Sequence, residues 1–101
     1  MKKLIITIAL FVVSTSAHAW ISKGALGCGV YVEDFEKGGW EKIANGGWLA
    51  GALTGYNYAN NTRVGDGVDI KSIQLHVYNY CKDNPLKDTA HAMQNLIDNL
   101  K

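Results

Sequence analysis

Cys28 and Cys81 are the only cysteines in this 101-residue chain, and what they can do is set by the nineteen residues at its start. Lys2 and Lys3 form a positive n-region, Leu4 to Val13 are almost wholly apolar, and Ala17-His18-Ala19 is the small-x-small pattern that signal peptidase accepts. The apolar run falls well short of the roughly 20 residues needed to cross a bilayer, and no later segment is apolar enough to do so. Residues 1–19 therefore read as an export signal cleaved after Ala19, and no membrane span is expected. The mature chain is expected in a bacterial periplasm, where thiols oxidise, so an even pair of cysteines reads as one disulfide. Such a bond closes a loop of about 54 residues, for which chain entropy gives on the order of 4 kcal/mol.

Residues 20–101 amount to one domain, and a core of that size is marginal without a staple or a partner. Eight Lys or Arg against nine Asp or Glu give the mature chain a charge of −1. With no basic run to meet phosphates, nucleic acid is not an expected partner.

Gly24, Gly27, Gly29, Gly38 and Gly39 break up residues 20–39, which read as an irregular lead-in. Within it, Val30 to Val32 suit a short extended piece and Glu33 to Lys37 one helical turn. From Trp40 the pattern changes, because Trp40, Ala44, Trp48, Ala52 and Tyr56 recur every fourth residue, with Ile43 and Leu49 or Leu53 widening the stripe. This helix carries Gly46, Gly47, Gly51 and Gly55, each costing up to about 1 kcal/mol relative to alanine. The Gly47, Gly51 and Gly55 ladder lets a helix or the N-terminal segment approach closely, or else it floors a groove bordered by Trp48 and Tyr56. Asn57 is the expected αL terminator, and Asn57 to Val68 the exposed loop beyond it. Asp69 reads as the N-cap of a helix running to about Lys82. Its buried face is Ile70, Ile73, Val77 and Tyr80 or Cys81. Pro85 ends that helix, and Asn84-Pro85 opens the last one, with Leu86, Ala90, Met93, Leu96, Ile97 and Leu100 as its apolar stripe.

Groups that carry chemistry are few. Glu33, Asp34 and Glu36 are close in sequence, but an acid–base pair needs two carboxylates across a cleft with separated pKa values, so solvated surface charge is the expectation. Ser22 and Ser72 lie in no nucleophile motif, and no phosphate loop is present. His76 or His91 could join a cysteine at a metal or thiol site, but no C-x-x-C or H-x-x-x-H spacing supports one. Asp66 and Asp69 beside Gly67 lack the calcium-loop order. Neither an enzyme nor a cofactor is therefore expected. Eight mature Trp and Tyr remain, many for 82 residues; most are expected in the core and some on a binding face, since residues of this kind anchor interfaces. The candidate binding surface is Trp40, Trp48, Gly51, Gly55, Tyr56 and Asn57.

Three stretches carry a resemblance: an early cysteine, the run WLAGALTGYN at residues 48–57, and YCKDNPL at residues 80–86. Together they resemble small exported bacterial proteins related to the HdeA/HdeB acid-stress chaperones, over Cys28 to Leu100. The resemblance implies an all-α fold, a three-to-four-helix bundle in which Cys28 and Cys81 tie the N-terminal segment to a helix. It also implies homodimers at neutral pH that dissociate and partly unfold in acid, exposing apolar surface to protein clients. The architecture is similar, too, to that of Tai-type periplasmic immunity proteins, which implies instead one specific partner, a secreted cell-wall amidase.

Overall fold

The computed structural model describes residues 23–101, so the expected export signal, its expected cleavage point and Trp20 lie outside the described residues. Four helices follow in order, α1 (Cys28–Lys37), α2 (Trp40–Asn60), α3 (Ile70–Asp83) and α4 (Thr89–Leu100), and no strand is formed among these residues. α1 packs on α2 and α3, α3 on α4, and α2 on both α3 and α4. All four meet in one core, where Leu49, Val77, Cys28 and Cys81 are the largest side chains wholly shielded from solvent. The chain is thus a small helical bundle stapled by one disulfide. The bond joins the first residue of α1 to the last turn of α3, Cys28 to Cys81, with 4.8 Å between the Cα atoms.

The lead-in is not irregular. Cys28 to Lys37 form a full ten-residue helix, because Cys28, Tyr31, Val32 and Phe35 supply apolar positions at i, i+3, i+4 and i+7. The glycines that hide this period are its borders: Gly27 is the N-cap and Gly38 the C-cap. Gly38 and Gly39 take φ of 76° and 82° in succession, a left-handed pair that only glycine adopts without strain and that turns the chain into α2 within two residues. Tyr31 is 2 % exposed and donates its hydroxyl to Gln74 O at 3.0 Å on α3. Burial pushes its phenol up to about 12, so it stays a donor at any ordinary pH.

α2 also departs from its expected face. A strict four-residue repeat advances 400° per step, 40° past a full turn at about 100° per residue, so Trp40 and Tyr56 end far apart around the helix. The buried line is instead Gly46, Leu49 and Leu53, while Trp40 is 73 % exposed and Ile43 64 %. The close approach falls at Gly46, over which Gln74 of α3 lies with no room for a Cβ. Around Gly47, Gly51 and Gly55 an added Cβ would meet nothing, so no described residue packs on that ladder. Asn57 does not end α2 either. The helix continues to Asn60, and Asn61 takes the αL conformation at φ 54°.

Asp69 caps α3, accepting Ser72 N at 2.7 Å, and the buried face is Ile73, Val77 and Cys81. Ile70 is 39 % exposed. The last helix begins later than Asn84-Pro85. Residues 84–87 form a turn closed by Lys87 N on Asn84 O at 3.0 Å, and Leu86, at 98 % exposed, adds nothing to the core. Asp88 is the cap, accepting His91 N at 2.9 Å. That start is fixed from the other end of the chain. Thr89 N donates to Leu26 O and Cys28 N to Lys87 O, each at 2.9 Å, and Leu26 N donates to the buried Thr89 Oγ1 at 3.0 Å.

Candidate binding site

A groove of about 730 Å³ runs between α2 and α4. On α2 its wall is Trp48, Gly51, Ala52, Tyr56, Ala59 and Asn60, spaced three and four apart so that they share one side of the helix. On α4 it is Ala90, Met93, Gln94 and Ile97. Met93 and Ile97 are also core residues, 2 % and 5 % exposed, so the floor is rigid and apolar. The indole of Trp48 is held from one end, its Nε1 donating to Lys23 O at 2.6 Å, which satisfies the only polar atom of the ring. Among the described residues, Lys23 is the only charged one that lines the groove. Such a lining suits an apolar ligand held by area burial.

Of the residues expected from sequence, Trp48, Gly51 and Tyr56 line the groove. Trp40 and Ile43, three residues apart at the start of α2, are both exposed and lie outside the groove lining. Gly55 is open to solvent but outside the lining. Asn57 is half-buried and organises the loop after α2: its Oδ1 accepts Thr62 Oγ1 and Val64 N, both at 2.8 Å, and its Nδ2 donates to Val64 O at 2.9 Å. The α4 half of the groove escapes a reading of one sequence, since Ala90, Met93 and Ile97 carry only the signal of a buried stripe. What makes them a wall is the position of α2 beside them.

The surface charges are engaged locally. Asp34 accepts Asn45 Nδ2 at 2.9 Å, and Glu36 accepts the hydroxyl of Tyr78, which raises that phenol above its ordinary value. Tyr78 stacks on Phe35 with 4.1 Å between ring centroids, and the pair is capped by Lys42 over Phe35 and Lys82 over Tyr78 at 4.1 and 5.0 Å. Asp66 pairs with Arg63 at 2.7 Å, and Asp69 is occupied as a cap. His76 bonds Asn95 across α3 and α4 at 2.9 Å, and His91 bonds Asp88 at 2.7 Å. Among the described residues no three His, Cys, Asp or Glu side chains gather where a metal would need them, and no helix is long and apolar enough to cross a membrane.

The two cap carboxylates respond to acid in the same direction. Asp69 is held below the usual carboxylate range by the backbone and side chain of Ser72, against slight desolvation. At Asp88 desolvation pushes upward, but the backbone amide and imidazole of His91 outweigh it and hold the carboxyl low. No protein-family model matches this chain, and no curated protein or solved structure matches it either.

Proposed function

We propose that this chain is a non-enzymatic, exported binding protein of the chaperone kind, which holds apolar segments of protein clients in the groove between α2 and α4. The observation that carries the reading is that groove: its floor is apolar, and Lys23 is the one charged residue among the described residues that line it. An acid-stress role is supported by the caps. A carboxylate whose folded pKa lies below its unfolded value stabilises the fold above about pH 3.9, and that contribution is lost as pH falls through the folded value. Asp69 and Asp88 both belong to this class, and Asp88 begins the helix that forms one wall of the groove. Over the same range protonation of the nine Asp and Glu leaves eight Lys or Arg uncompensated, so the charge these side chains carry in residues 20–101 moves from −1 to +8. Self-repulsion then loosens the helices while Cys28–Cys81 keeps them together.

The test is client protection from pH 7 to pH 2 by the oxidised protein, beside Gly51→Lys and Ala59→Lys. Both positions are exposed on α2 and line the groove, and lysine keeps its charge in acid. The expected result is that the parent suppresses client aggregation in acid and both variants, folded at pH 7, lose that activity. Equal protection by all three, or none by the parent, overturns the reading.

A second reading, that of an immunity protein that blocks one secreted enzyme, is favoured by a different observation. The loop after α2 is pre-built, with three hydrogen bonds to the Asn57 side chain and the Arg63–Asp66 pair, and a preorganised loop binds with little loss of entropy. Tight neutral-pH binding to one cell-wall amidase, lost in Asn57→Ala, would support that role.

A further inference from the structure

One end of the groove is built by the chain's own lead-in. Lys23 O accepts the Trp48 indole, and Gly24, at φ +86°, passes so near that a Cβ there would stand 2.7 Å from Trp48 Cδ1. Two residues on, Leu26 exchanges two hydrogen bonds with Thr89 at the start of α4. Residues 23–26 are thereby fastened to both helices that form the groove, and Lys23, the first described residue, is part of its lining. The sequence just ahead of Lys23 reads Trp20-Ile21-Ser22, two large apolar residues and no charged side chain.

We infer that Trp20–Ser22, the N-terminus left by cleavage after Ala19, is the resting occupant of this groove, its indole lying over Met93 and Ile97. The inference rests on reading the groove as a binding site and adds what fills it when no client does. Three extended residues span about 10 Å, against about 16 Å for α2 from Trp48 to Ala59 at 1.5 Å per residue, so the segment covers a little over half the length of the groove from its Lys23 end. The chemistry also matches. The apolar lining suits two large apolar side chains whose segment carries no charge beyond its own α-ammonium, which stays in solvent, and a tryptophan supplies about 150 to 250 Å² of surface to bury. Tethering raises the effective concentration of such a short segment to the millimolar range, so it outcompetes dilute clients unless the groove widens.

The experiment uses the exported, oxidised protein at pH 7, with its N-terminus identified by intact mass. Nuclear Overhauser contacts from the Trp20 indole to the Met93 and Ile97 methyl groups are expected, together with a severalfold rise in apolar-dye binding in Trp20→Ala. Absence of those contacts with unchanged dye binding overturns the inference, as does an N-terminus other than Trp20. Contacts seen only between differently labelled copies also overturn it and assign the groove to a second chain. Client protection read separately keeps the two ideas apart: contacts without protection retain the occupant and discard the chaperone, and protection without contacts does the reverse.

Discussion

At the scale of single residues, the glycines show how one residue type does opposite things in one chain. Gly24 is required where it stands, because its φ is +86° and a Cβ would meet the Trp48 ring. Gly51 is helical, solvent-facing and surrounded by open space, so its backbone freedom costs stability without giving a packing return. Gly51→Ala should therefore stabilise the fold by up to about 1 kcal/mol, whereas Gly24→Ala should destabilise it by about 1 to 3 kcal/mol through the strained φ and the collision. Urea denaturation of the two variants against the parent measures both. A shift of the same sign in each would mean that the open space at Gly51 or the approach at Gly24 is misjudged. The two glycines look alike in sequence. They differ in what lies next to them, information that a local pattern does not hold.

At the scale of elements, the N-termini of α3 and α4 are acid-sensitive through their carboxylate caps, Asp69 and Asp88, and that of α4 can be isolated. Asp88→Ala removes the hydrogen bonds to His91 N and His91 Nδ1 and should cost about 1 kcal/mol at neutral pH, as for other N-caps. Since the carboxyl is held low in the folded state, the loss should be present at pH 6 and shrink below about pH 3.9, where the parent's cap is also being protonated. Chemical denaturation of both proteins at pH 6 and pH 3 checks it, and a pH-independent difference would remove Asp88 from the acid response. Elements with an unbroken period were legible in the sequence: Ile73, Val77 and Cys81 of α3, and Met93, Leu96 and Ile97 of α4, are buried as their spacing indicates. Asp69 was legible as a cap because a carboxylate before an apolar stripe has a local partner in the helix it starts. α1 was hidden, because five glycines in twenty residues resemble a coil, although three of them, Gly27, Gly38 and Gly39, are helix caps. On α2 the repeat of aromatic residues outshone Leu49 and Leu53, although a four-residue repeat cannot stay on one face for four turns. Asn84-Pro85 carried a start signal that was outcompeted by Asp88, whose cap is reinforced by Leu26 from the opposite end of the chain. Of the groove, the α2 wall at Trp48, Gly51 and Tyr56 was legible, and the α4 wall was not, since helix adjacency is a tertiary property.

At the scale of the whole molecule, the disulfide and the lead-in perform related tasks at the same place. Cys28 opens α1, and its amide donates to Lys87 O just ahead of α4, while its sulfur is bonded to α3. Loss of the bond therefore frees three elements at one point rather than one loop. Between Cys28 and Cys81 lie all of α2 and most of α1 and α3, so reduction returns to the unfolded chain nearly all the freedom of the domain. Reduced protein, or Cys28→Ser with Cys81→Ser, should be less stable by about 2 to 4 kcal/mol, a large share of the stability of so small a core. Both cysteines are wholly buried, so the native bond should resist mild reductant and alkylation until the bundle opens. Combining the two states with pH separates fold from function. If the bond limits acid expansion, oxidised protein at pH 2 should keep helical circular dichroism and remain compact in size-exclusion chromatography, while the reduced protein at the same pH should lose helix and expand. Equal expansion in both states would show that charge repulsion alone sets the acid form, and that the staple governs only the stability of the neutral fold.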